Sequence, residues 1–410
     1  MLRLLAAGFL GLIASTWPLW TPQSAFPEVP LFRVAGRLHA AVDWAFLYVL
    51  LAAQGSLLVA PRIRYRRVVT LISMGCTLGL VCIDQHRLQP WAWQFILVSL
   101  VLSAADASTA RRAWRWIVIG IYVWSAWSKL DYGFTQQHGP FLLDGLLKSI
   151  GLKTGIQSWS AAARSIISAA IPCAELSIAV SLAWPRTRRV AIYGAAIMHL
   201  TLLMALGPWG HNHQPGVLLW NVFFLVQNAL LFRQSPPATP TETPGALSQP
   251  AQSASVWGNR FAWGVVILAM IWPVTEPFGL CDHWPAWAVY AAKPERVTIS
   301  IDSDEQSRFP AAMERYFGDD IVEHGWTPMR LDRWSLDAVR CPIYPQDRFQ
   351  VGVALGMAEE FHLSTLRIVI EGPANRWSGK RSTNVYEGLE SIRTLADSYR
   401  LGAHPRPQLD

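Results

Sequence analysis

The chain has 410 residues, of which 52% are hydrophobic and 15% charged, against a charged share of about 25% in soluble domains. The apolar residues come in long runs, so the pattern is that of an integral membrane protein and excludes an ordinary soluble fold. A net charge of +7 calls for no nucleic-acid partner, because the arginines gather in short loops between apolar runs.

Residues 4–20 are the first expected span, an apolar run after Arg3 that ends at Trp17, Pro18 and Trp20. A signal peptide is the alternative; no small-x-small cleavage site follows, so a helix is preferred. Further spans are expected at 38–60, 68–83, 91–105, 114–130, 161–184, 190–206, 216–232 and 257–280. Many are bounded by tryptophan, whose indole ring favours the membrane interface, and about 20 residues cross the hydrocarbon layer. Between spans, FLLDGLLKSIGL (residues 141–152) reads as a short amphipathic helix.

Residues 233–256 are rich in Pro, Ser, Thr, Ala and Gln and read as a disordered cytoplasmic linker. From about Pro294 the composition turns to that of a soluble domain, and residues 281–410 are expected to form it. Residues 296–301 and 365–372 read as strands, and 345–361 and 385–398 as helices. The expected architecture is therefore an α-helical polytopic membrane bundle of about nine spans with a small C-terminal α+β extracytoplasmic domain.

Orientation follows from arginine. The loops 61–67, 106–115 and 185–189 hold ten Arg in 22 residues, whereas the opposite stretches 21–37, 84–90, 129–160 and 207–215 hold six Lys and Arg in 65. The positive-inside rule then puts the N-terminus in the cytoplasm and residues 281–410 outside, in a bacterial inner membrane. On that side Cys281 and Cys341 could form a disulfide, with two unpaired thiols as the alternative. No CxxC pair or zinc spacing is present, and no metal is expected.

Ionisable groups within spans are candidates for function. Glu175 and His199 lie mid-span in consecutive helices and are expected to pair, either as a proton relay or as a neutral bond between helices. Lys129 ends an apolar helix at the outer boundary, with Asp43, Asp84 and His86 at similar depth as its expected neighbours. Its charge is either held by an aspartate or lost by burial so that the amine acts as a base. Arg87 could grip an anionic group, or simply belong to an interfacial turn. Asn221 adds a donor at the same outer end, and Trp220 is a belt residue or a stacking platform for a ring.

The order WSAWSKLDYGF (residues 124–134), a mid-span acid in AELSIAVSLAW (174–184), the turn PRTRR, then His199 and GPWG resembles a known pattern. It is similar to the membrane domain shared by vitamin K-dependent gamma-carboxylases and their bacterial HTTM relatives, and more loosely to DoxX-like proteins. The likeness spans about residues 40–232. It implies that Lys129 is the base that starts oxidation of a reduced quinone; Leu130 and Asp131 agree with the carboxylase pattern, while Ser125, Ala126 and Ser128 replace its Ala, Gly and second Lys. The large lumenal region that holds the carboxylases' protein substrate has no counterpart.

Two functions follow as expectations. One is an enzyme acting on a quinone or similar lipid-soluble molecule, with Lys129, Glu175 and His199 catalytic and Asp43, Asp84, His86, Arg87, Trp220 and Asn221 around the substrate. The other is a non-enzymatic membrane subunit whose outer domain docks a periplasmic protein. In both, the lipid bilayer is a partner.

Overall fold

A computed structural model describes residues 1–60, 65–152, 155–233, 256–318 and 325–407. The expected linker, over 234–255, lies outside the described residues, as do Arg62 and Arg64 of the first basic loop. The chain is mostly helical, with a small antiparallel sheet near the C-terminus.

The helices run α1 Leu2–Ser15, α2 Trp17–Trp20, α3 Ala41–Val59, α4 Arg66–Ile83, α5 Pro90–Ala104, α6 Ala107–Lys129, α7 Gly139–Ser149, α8 Ala161–Ala183, α9 Arg188–Leu206, α10 Pro215–Phe232 and α11 Val256–Ile271. Six segments are long and apolar enough to cross a membrane: α3, α4, α8, α9, α10 and the stretch Val256–Phe278. Their outer faces carry exposed Ile166, Val190 and Tyr193, as helices in lipid do. This is a multi-pass membrane protein. Among the other three expected spans, α1 and α5 are shorter apolar helices, stopped by Thr16 and Pro18 and by the Ala105–Asp106 turn. α6 is long enough but opens with Arg111, Arg112 and Arg115.

α5 lies at the centre of the bundle, buried around nearly its whole circumference. α6 packs against α8 and α11, α10 against α9, and α3 against α4 and α1. Asp106 caps α6 by accepting from the Ser108 and Thr109 N–H groups at 2.9 and 2.8 Å, and Asn259 of α11 donates to its other oxygen at 2.6 Å. One side chain therefore starts α6 and ties it to the last span.

The C-terminal sheet has the order β2-β1-β3-β4, all antiparallel, from β1 Arg296–Asp302, β2 Trp326–Met329, β3 Leu366–Glu371 and β4 Thr383–Glu387. β1 and β3 cover the two segments read as strands, and α13 (Asp347–Glu360) the first segment read as helix. The second divides: 383–387 is the edge strand, Gly388 turns at φ 82°, and α14 runs Leu389–Ser398. β2 and α12 (Leu331–Val339) were not legible, being short and, for β2, interrupted by Pro328.

α13 is buried on nearly all sides because the sheet covers one face and the segment Pro27–Val29 the other. Gly352 and Gly356, one turn apart, make that approach possible: a Cβ would meet Val29 at 2.7 Å and Pro27 at 2.8 Å. Polar clamps complete the docking. Arg348 bridges Gln85 of the 84–90 loop, at 2.8 Å, to Asp282, which also accepts from Tyr344 and Gln346. This network tethers the domain to the bundle, and of the two alternatives for Cys281 and Cys341 the structure has the unpaired one: both are free, buried thiols.

Where the last span meets the sheet, His283 sits between Glu276 at 2.8 Å and Glu295 at 2.6 Å. Burial works against the imidazolium, but the hydrogen bonds and charges of the two carboxylates overcome it and push His283 from 6.5 up to about 9. A raised folded-state value stabilises fully below the unfolded one, near 6.5, and the benefit disappears as pH rises through about 9. His283→Gln is therefore expected to lower stability at pH 6.5, by on the order of 3 kcal/mol, and hardly at all at pH 10. Thermal unfolding of both proteins in detergent across that range checks it; a difference independent of pH rejects the charged clamp.

Candidate functional site

The site grows from one stripe of α6. Tyr122, Ser125 and Lys129 follow at intervals of three and four residues and so share a face. Lys129 ends the helix, and its ammonium donates to Ser125 Oγ at 2.5 Å and to Glu175 Oε2 of α8 at 2.9 Å. Both charged side chains are below one tenth exposed. Lysine has three N–H donors, so one remains after these two bonds.

Beside the ion pair runs a neutral relay. Asn228 donates to Tyr122 Oη at 2.6 Å, so the phenol hydrogen is free to go to His199 Nε2, also at 2.6 Å. That leaves His199 Nδ1 as the donor to Asn221 Oδ1 at 2.8 Å, and Asn221 donates to Val217 O at 2.9 Å. The second bond fixes the orientation of the amide, and with it the tautomer of the imidazole. A third set holds the aromatic wall: Trp220 donates to Gln94 and Gln94 to Gln227, both at 2.8 Å.

These groups line a cavity of about 410 Å³ between the bundle and the C-terminal domain. Its walls are largely apolar, with Trp91, Trp220 and Phe224 from the helices and Trp284 and Trp287 from the segment that follows the last span. Phe224 stacks on His199 at 4.9 Å and meets Trp220 edge-on at 5.3 Å. Its charged lining is Lys129 and Glu175 from the bundle and Glu295, Arg296 and Arg340 from the C-terminal domain. No family model, curated protein or solved structure matches the chain.

The expected site residues separate into two groups. Lys129, Glu175, His199, Trp220 and Asn221 line the cavity together; Asp43, Asp84, His86 and Arg87 do not. Arg87 is fully buried and donates to Asp43 at 2.6 Å, to Glu28 at 2.9 Å and to the Leu19 carbonyl at 3.0 Å. Arg406, near the end of the described chain, grips the same two carboxylates at 2.6 and 2.8 Å. Asp43 is thus unavailable to Lys129, and Arg87 has no donor set free for a substrate anion. Asp84 accepts from the His86 and Val29 N–H groups, and burial lifts its carboxyl to about 6.

Burial also lowers His86 to about 4, so the ring is neutral at pH 7 and donates from Nε2 to Pro342 O at 2.9 Å. Asp43 through Arg406 and His86 through Pro342 join the bundle to the C-terminal domain, while Asp84 and Arg87 hold the segment 19–29 against α4. Likewise Glu175 is taken by Lys129 and His199 by Tyr122 and Asn221, so the expected Glu175–His199 pair does not form. Tyr122 and Ser125 were missed although their spacing from Lys129 was legible; Trp284 and Trp287 carried no local signal. Among the described residues no group of three or more His, Cys, Asp or Glu is placed to hold a metal.

Proposed function

We propose that the protein binds a lipid-soluble molecule with a ring and a polar oxygen, of the quinone or quinol class, and acts on it by proton transfer. The observation that carries this reading is a buried Lys129–Glu175 ion pair at the polar end of an aromatic-walled cavity. An ion pair inside a membrane protein is costly unless it is used. The apolar walls suit a ring, and the third N–H of Lys129 is a donor for its oxygen.

The roles differ from those implied by the likeness to the carboxylase membrane domain. With Lys129 donating to a carboxylate, Glu175 is the better proton acceptor: a ligand O–H gives its proton to the carboxylate, and the oxyanion left behind pairs with the ammonium. His199, neutral and hydrogen-bonded on both ring nitrogens, orients the aromatic wall and connects the site to Tyr122. The reading extends to a nine-span bundle, adding α1, α5 and α6 to the six apolar segments, in a bacterial inner membrane. The arginine-rich turns favour a cytoplasmic N-terminus and a periplasmic C-terminal domain.

Mass spectrometry of small molecules that co-purify in mild detergent tests it. A quinone at roughly one per chain is expected, with loss of that molecule from Lys129→Arg, whose larger planar head cannot keep both the Ser125 and Glu175 bonds. A wild-type protein free of any ring-bearing lipid, or a variant that retains it fully, rejects the reading. The second reading, a non-enzymatic subunit that docks a periplasmic protein, has one feature in its favour: β4 is an exposed edge strand able to accept a partner's strand. A single stoichiometric protein cross-linked through residues 383–387 would support it.

A further inference from the structure

A second cavity, of about 520 Å³, lies behind α6, between its C-terminal turn and the stretch from Pro273 to Pro294. It shares Ala288, Ala291 and Pro294 with the first cavity but takes the opposite face of α6, where Trp124, Trp127 and Leu130 form its wall. Two cations stand at this cavity, Lys293 and Arg376. Among the described residues Lys293 makes one long ion pair, 3.8 Å to Glu276, which already accepts from His283. The Arg376 guanidinium lies over the Trp127 ring at 4.2 Å and donates to the Trp127 and Leu130 carbonyls at 3.4 and 3.5 Å. No carboxylate among the described residues forms an ion pair with it.

The position is at the membrane boundary. Trp127 belongs to the last turn of α6 and is half exposed, and Phe278 and Leu280 are exposed where the last span ends. The loop that carries Arg376 is built, not loose. Asn375 accepts from the Trp377 and Ser378 N–H groups, Tyr132 N–H donates to Arg376 O at 2.8 Å, and Gly379 lies against the Tyr132 ring at φ 68°. From this loop Trp377 projects at 79% exposure, a placement that an aqueous surface disfavours and a headgroup layer favours.

We propose that this groove binds one anionic phospholipid from the leaflet facing the C-terminal domain, its phosphate held by Arg376 and Lys293 and its upper acyl chain lying on Trp124, Trp127 and Val274. Trp377 enters the headgroup layer beside it. Phosphate matches the guanidinium's fork of donors and the lysine's point charge. The apolar wall below the two cations matches the chain attached to that phosphate.

The test uses the full chain in nanodiscs of equal phosphatidylglycerol and phosphatidylcholine, analysed by native mass spectrometry after mild delipidation. Wild type is expected to retain one phosphatidylglycerol, and Arg376→Gln with Lys293→Gln to lose that preference by about tenfold or more, from the share each cation contributes near an anionic surface. A second readout needs no variant: phosphatidylglycerol with brominated chains should quench the groove tryptophans more than its phosphatidylcholine counterpart. Equal retention of the two lipids by wild type, equal quenching, or displacement by millimolar inorganic phosphate overturns the proposal. So does undiminished retention by a double variant that keeps its circular dichroism.

Discussion

Arg87→Met is expected to destabilise the protein by about 3–5 kcal/mol, the cost of removing one partner from a buried ion pair. The size follows from what is left behind. Arg87 is fully buried and lies against Asp43 and Glu28, neither more than a few per cent exposed. Without it, two buried carboxylates share a single guanidinium, Arg406, and the Leu19 carbonyl loses its donor. Burial already lifts the Glu28 carboxyl above its ordinary value with both arginines in place, so removing one pushes it further toward the neutral acid.

Arg33→Met supplies the contrast. Arg33 bonds Asp397 at 2.5 Å, but both side chains are about three-fifths exposed, so water and salt screen the pair and its removal should be far milder than that of Arg87. Unfolding in detergent by heat or denaturant measures both variants. Similar losses would mean that the Arg87 network is hydrated and adds little. Because Arg406 and Glu28 join the C-terminal segment to the loop before α3, the Arg87 variant should also release residues 400–407 to protease before the bundle unfolds.

That network shows where reading the sequence succeeds and where it stops. Depth in a membrane can be counted along each span, and counting puts Asp43, Asp84 and His86 among the expected neighbours of Lys129. Depth is one coordinate, however, and the azimuth of each helix decides contact. Asp43 turns toward Arg87 and toward Arg406, 363 residues away in sequence, and nothing local to Asp43 signals a guanidinium arriving from the far end of the chain. Counting likewise pairs Glu175 with His199, yet each finds another partner on α6, Lys129 and Tyr122 respectively. The six apolar segments and the strands β1 and β3 were legible because apolar runs and β-branched alternation are local signals. β2, α12 and the tryptophan roof over the cavity were not, since each exists only because the C-terminal domain folds back on the bundle. Cys281 and Cys341 illustrate the same limit. A shared compartment permits a disulfide but does not bring the two thiols together, and both are free.

The Lys129–Glu175 pair allows structural and chemical roles to be separated, and the expected result is a stability cycle that closes while function stays lost. Lys129→Met leaves a buried carboxylate with no cation, and Glu175→Leu leaves a buried ammonium with only Ser125 at hydrogen-bond distance. Each single variant should cost about 3–5 kcal/mol. The double variant replaces the pair by apolar groups of similar volume, a change that is often neutral or stabilising by about 1–4 kcal/mol. Its stability should return to near that of wild type, giving a coupling between the two sites of several kcal/mol in the double-mutant cycle. Recovery of stability without recovery of the ring-bearing ligand, measured on the same purified samples, is the expected pair of outcomes. It would mean that the charges are kept for what they bind, since the fold does better without them. Recovery of both would make Lys129 and Glu175 a helix-to-helix bond and leave the cavity without its polar end. A double variant as unstable as the sum of the singles would show that the two side chains do not meet, and would remove the geometric basis of the site. The pair is well suited to this test because its members sit on different helices, α6 and α8, that pack along much of their length, so that losing one bond leaves the helix contact itself in place.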